Sequence, residues 1–101
     1  MTTRTTTDET AAIAGLAAAG QRVVERRKLA VGRAILAAGC PITGTAVMGA
    51  TRASGVPVAS PFYPNTLRQF GFLARVPGVP VRWTLTAAGV AFVEERKEVV
   101  L

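Results

Sequence analysis

The stretch "VRWTLTAAGVAFVEERK", residues 81–97, restricts the fold more than any other. Val81, Trp83 and Leu85 alternate with Arg82 and Thr84, the period-two pattern of a strand with one buried face. The alternation stops at Thr86, a residue type whose hydroxyl satisfies an orphan N–H at a helix start, and an Ala-rich segment follows. Just upstream lies a second strand candidate, "FLARV", joined to the first by "PGVP". Pro-Gly suits a type II turn, because glycine accepts the positive φ required at the third turn position. A hairpin running straight into a helix is therefore fixed at the C-terminal end.

The rest of the chain reads as helix. "MTTRTTT" lacks apolar residues and is expected to be a disordered Thr-rich tail over 1–7. Thr6 and Glu9 have capping-box spacing, which predicts a helix starting near Asp8. Residues 8–22 form an N-terminal helical extension, with a break or weak point at Gly20, and 23–98 form the main domain. In the second helical segment Val24, Val31, Ile35 and Ala38 make one stripe, with Leu29, Gly32 and Leu36 beside it. Gly39 and Pro41 end it. A weaker helix follows, capped by Thr43 or Thr45 and closed by Gly55. The next, "SPFYPNTLRQFG", has Ser60 as N-cap, Pro61 in the first helical position and Gly71 as its stop. The predicted class is mainly α with a small two-stranded hairpin: an N-terminal helix, then α-α-α-β-β-α.

Composition excludes several kinds of chemistry. The 101 residues contain no histidine, which removes Ser-His-Asp and Cys-His catalysis and the commonest metal ligand. The expectation is a non-enzyme without cofactor or metal. A single cysteine, Cys40, excludes an internal disulfide and fits a reducing, cytoplasmic setting; it is expected to be a small buried residue. No apolar run is long enough for a bilayer, and Asp8 and Glu9 argue against reading "AAIAGLAAAG" as a signal-peptide core.

Charge is more informative. The net charge is +6, and all six acids lie at or before residue 25 or at or beyond residue 94. Arg26, Arg27, Lys28, Arg33, Arg52, Arg68, Arg75 and Arg82 lie between, so that span carries eight bases and no acid. A compact unit so charged attracts polyanions.

The order of elements, and the pieces "GFLARV…VRWTLTAAG", resemble the end of a winged helix-turn-helix domain. There a recognition helix stops at glycine, two wing strands follow, and Leu-Thr-x-x-Gly opens the last helix. Leu85 then faces the core, Thr86 caps, and Gly89 permits close approach to a neighbouring helix. "PITGTAVM" and "SPFYPNTLRQFGFL" further resemble the PadR family of transcriptional repressors, which tend to carry Pro-x-x-Gly before the second helix and Tyr-Pro inside the third. The resemblance covers roughly residues 29–93 and implies a DNA-binding regulator.

On a helical wheel Tyr63, Leu67 and Phe70 fall on one side, as an anchor to the core, and Asn65, Arg68 and Gln69 fall opposite. Arginine can bridge two acceptors on guanine, and Asn or Gln can pair with adenine. The candidate DNA-binding set is Asn65, Thr66, Arg68 and Gln69 on the third helix, Arg75 and Arg82 on the hairpin, Arg52 late in the second helix, and Thr43 and Thr45 at its start. Helix N-termini and arginines of this kind hold phosphates. Arg26, Arg27 and Lys28 point in different directions and read as a solvated surface; Phe72, Trp83 and Phe92 read as core.

The partner expected is double-stranded DNA, bound by a homodimer, because one small module gives a limited footprint. Candidates for the pairing surface are Ile13, Leu16 and Val24, and at the other end Val90, Val93, Val99, Val100 and Leu101. Two alternatives use the same features. One is a winged-helix module that assembles with protein; the other is an accessory DNA-bending or recombination factor.

Overall fold

A computed structural model describes the backbone of residues 2–57 and 60–101, and side chains from Gly20 onward apart from 58 and 59. Among the described residues, four helices pack with a small antiparallel sheet. In chain order these are α1 (Thr2–Ala38), β1 (Ile42–Thr43), α2 (Gly44–Ala53), α3 (Tyr63–Gln69), β2 (Leu73–Val76), β3 (Arg82–Leu85) and α4 (Ala87–Glu95). The helix α1, about 55 Å long at 1.5 Å per residue, sets the longest dimension of 61 Å.

Helix α1 is one piece. It runs back to Thr2 and does not break at Gly20, so the Thr-rich segment expected as an irregular tail falls within it. It contains no proline, and a threonine or glycine lowers helix propensity by at most about 1 kcal/mol each, too little to force an end. Ile13 and Leu16 lie outside the described side chains. The buried stripe is centred on Leu29, Val31 and Ile35, while Leu36 and Ala38 are exposed because α1 outruns the core there.

The sheet has three strands in the order β1-β3-β2, one more than the expected hairpin. The third is only two residues long: Ile42 pairs with Trp83 and Thr43 with Arg82. Within the hairpin Leu73 faces Leu85, Arg75 faces Trp83 and Val76 faces Arg82. The turn departs from type II. Gly78 has φ +152°, far from the value near +80° that such a turn uses, and the Val79–Pro80 peptide is cis.

Leu29, Val31 and Ile35 of α1, Val47 of α2, Tyr63 and Leu67 of α3, and Phe72, Leu73, Trp83 and Val93 form the core. Phe72 and Phe92 meet edge to face at 5.6 Å. Two glycines set the closest approaches. A Cβ on Gly32 would lie 2.3 Å from Val93 Cγ2, so α1 and α4 cross with no room between them. A Cβ on Gly89 would lie 2.5 Å from the Phe72 carbonyl oxygen. The neighbour Gly89 admits is thus the backbone entering β2, not a helix.

Thr86 locks this corner. Its hydroxyl accepts from the Gly89 N–H at 3.1 Å and donates toward the Gly71 and Phe72 carbonyls, and its own N–H donates to Phe72 O at 3.1 Å. On the far side, Arg33 donates to the carbonyls of Arg96 and Val99, tying α1 to the turn after α4. Of the residues expected on a pairing surface, Val93 is buried inside the monomer and Leu101 packs against the core; Val99 and Val100 are exposed.

Candidate functional site

Helix α3 begins later than its sequence suggests. Its first residue is Tyr63, so Pro64, not Pro61, occupies the first turn, and Ser60 caps no helix. Ser60 instead forms a turn ahead of it: its Oγ accepts from Phe62 N–H at 3.2 Å and its carbonyl from Tyr63 N–H at 2.8 Å. Two prolines so close leave few N–H groups to cap, which explains why a hydroxyl serves the turn. Tyr63, Pro64 and Leu67 are buried and clamp α3 to the core. Phe70 is no part of that clamp. It stands at the C-terminal end, 71% exposed, because the helix closes at Gln69 before the wheel can carry it inward.

The opposite face of α3 borders an open groove of about 880 Å³. The start of α2 supplies Thr43, Gly44, Thr45 and Met48; α3 and the turn before it supply Pro61, Phe62, Asn65 and Arg68. The hairpin supplies Arg75, Pro80, Val81 and Trp83. Thr43, Thr45, Asn65, Arg68 and Arg75, five of the nine candidate residues, therefore line one concavity although they come from three elements.

The register explains which hairpin arginine takes part. Arg75 sits directly across from Trp83 and shares its face of the sheet, whereas Arg82, next to Trp83 on β3, points to the other face. Arg82 is exposed there and does not line the groove; nor do Arg52, Gln69 or Thr66. Arg52 and Gln69 are exposed, and Thr66 is half-buried with its hydroxyl donating to Phe62 O at 3.3 Å.

Local bonds orient the groups that remain. Thr43 is the N-cap of α2, accepting from Ala46 N–H at 3.2 Å, and the first turn of α2 contains no acid. The positive end of that helix thus opens on the groove. Arg68 donates through Nε to Asn65 Oδ1 at 3.0 Å. The bond fixes the guanidinium and leaves its terminal nitrogens free to donate. It also uses one of the two lone pairs of the oxygen with which Asn65 would accept from adenine, which couples the two side chains.

Among the described residues no carboxylate offsets these cations. The groove lining contains no Asp or Glu, and the ion pairs among the described residues, Arg96 with Glu25 at 4.0 Å and with Glu95 at 3.4 Å, lie where α1 meets α4. A concave surface with two arginines, an amide, two hydroxyls and a helix N-terminus can hold anionic oxygens and planar hydrogen-bonding edges. Among the described residues no cluster of His, Cys, Asp or Glu could bind a metal, and no helix is long and apolar enough to cross a membrane.

Other basic residues have structural tasks. Arg27 donates to Pro57 O at 2.8 Å and lies 5.7 Å from the Tyr63 ring centroid. Lys28 Nζ sits between Phe70, Phe72 and Phe92, at 5.8, 6.0 and 5.6 Å from their centroids. These two are more than a solvated surface; the aromatic residues they hold were visible in the sequence, but their convergence on α1 was not. Cys40 is exposed, not buried, because it follows Gly39 where the chain leaves α1. Phe62, Met48 and Trp83 are groove residues that the sequence did not mark as such. Comparison with protein-family models, curated proteins and solved structures finds nothing that matches this chain.

Proposed function

We propose that this chain is a winged helix-turn-helix DNA-binding domain of a transcriptional regulator, a PadR-like repressor that acts as a homodimer on double-stranded DNA. In this reading α3 enters the major groove, the β2–β3 hairpin is a short wing, and α2 meets a phosphate with its N-terminus. Arg68, oriented by Asn65, bridges the two acceptors of a guanine. Arg75, Thr43 and Thr45 bind the phosphate backbone, and Arg52, Arg82 and Gln69 reach flanking phosphates from outside the groove.

One observation carries the reading. Three separate elements bring arginine, amide and hydroxyl groups to a single groove that has no carboxylate in its lining among the described residues. A site for a cationic or neutral protein surface has no need of that imbalance, whereas a polyanion does.

Fluorescence anisotropy with duplex DNA across a salt series tests it. With about six phosphates neutralised, log affinity falls against log salt with a slope near −5. Arg68→Ala costs about 1–3 kcal/mol on the preferred sequence and relaxes base preference, while Arg75→Ala weakens all sequences alike and reduces the slope by about 1. Absence of duplex binding at low salt refutes the proposal and returns the groove to a protein partner. Sedimentation at micromolar concentration tests the homodimer, which a monomeric mass would refute.

A further inference from the structure

Two large aromatic side chains stand in solvent at the ends of α3: Phe62, 77% exposed, and Phe70. Their surroundings differ. Phe70 has the Lys28 ammonium against its ring, whereas the Phe62 ring has no aromatic or cationic partner among the described residues. The backbone of Phe62 is nevertheless held on both sides. Its N–H donates to Ser60 Oγ at 3.2 Å, and its carbonyl accepts from the Thr66 N–H at 3.1 Å and from the Thr66 hydroxyl. A bare ring on a fixed backbone, lining the same groove as Asn65, Arg68 and Arg75, is set for an occupant that is apolar at one point and anionic close by.

Resting on the DNA reading, we propose that Phe62 is a specificity-determining residue that packs against the C5-methyl group of a thymine in the major groove. Thymine is the base that presents an apolar group there, and phenylalanine is a side chain suited to it. Phosphates flank every base, which suits the neighbouring arginines. Arg68 follows Phe62 by six positions, a rise of about 9 Å at 1.5 Å per residue. At 3.4 Å per base pair, the thymine lies within about three base pairs of the guanine read by Arg68.

The test begins with a duplex selected from a random pool by the wild-type protein, in which each thymine is replaced in turn by deoxyuridine, removing only the methyl group. At one position within three base pairs of the guanine lost to Arg68→Ala, the replacement weakens wild-type binding about fourfold, the value of one buried methyl. Phe62→Ala binds less tightly, shows no penalty at that position and melts at the wild-type temperature. Phe62→Leu, which keeps an apolar group, retains part of the penalty. A flat deoxyuridine scan, or a penalty that persists in Phe62→Ala, overturns this inference while duplex binding stands. Loss of all duplex binding by the wild type overturns both it and the reading on which it rests.

Discussion

Substituting Gly89 by alanine probes the corner where hairpin and α4 meet. The new Cβ would lie 2.5 Å from Phe72 O and 3.0 Å from Leu85 Cδ2. A carbon–oxygen contact of this kind normally needs about 3.3 Å, so α4 must retreat by about 0.8 Å. The carbonyl cannot yield easily, because it accepts from both the N–H and the hydroxyl of Thr86. Retreat of that size stretches the Thr86 N–H bond past useful range, at a cost of about 1 kcal/mol. Overpacking around Leu85 adds about 1–3 kcal/mol. Against this, replacing glycine in a helix gains up to about 1 kcal/mol. The net loss is about 2 kcal/mol, which lowers the melting temperature of a domain this size by roughly 10 °C. Thermal and urea unfolding measure it, with Ala88→Gly, an exposed neighbour in the same turn, as the control that changes stability by no more than about 1 kcal/mol. An unaltered or raised melting temperature for Gly89→Ala would show that the corner is loose and that the packing argument fails.

Tyr63 supplies a pH prediction. Its hydroxyl is buried without a partner among the described residues; burial pushes the phenol above its usual value near 10, with the Arg27 charge pulling the other way. Because the folded state holds this proton more tightly than the unfolded chain, the associated stability is intact below about pH 10 and is lost as pH rises through the folded value. Tyr63→Phe removes that alkaline loss and, by deleting an unpartnered buried group, stabilises the protein by about 1 kcal/mol at pH 7. Equal alkaline loss in both proteins, read by urea melts at pH 7 and pH 11, would contradict it. Thr86→Ala removes the cap of α4 and its ties to Gly71 and Phe72, lowering stability by about 2 kcal/mol. Thr86→Ser retains most of it; a serine variant as weak as the alanine one would place the effect in the lost methyl.

The legible parts of the fold were those written in local chemistry. The alternation that gives β3, the capping hydroxyl of Thr86 and the glycine stops act within a few residues of themselves and lie where the pattern puts them, and of the two threonines offered for α2 it is Thr43 that caps. Two local signals misled, the Ser60 cap and the Pro-Gly turn; the rest of what escaped depends on distant partners. β1 is two residues long and owes its existence to Trp83 and Arg82, some forty positions away, so no periodicity could announce it. Phe70 obeys the wheel, but α3 ends one residue before it. At the groove, Arg68 and Asn65 were legible by type and face and Arg75 by type alone, since it parts from Arg82 through a strand register that appears only once β2 and β3 are paired. Phe62 was invisible because an aromatic residue in sequence reads as core unless its surroundings are known.

Thr43 belongs to two structures at once. It pairs with Arg82 in the sheet and caps α2 through its hydroxyl, so the floor of the concavity joins the hairpin to the helix through a single residue. Swinging the hairpin outward would drag the head of α2 along with it. If the groove takes the ligand proposed for it, this joint sets its width in advance.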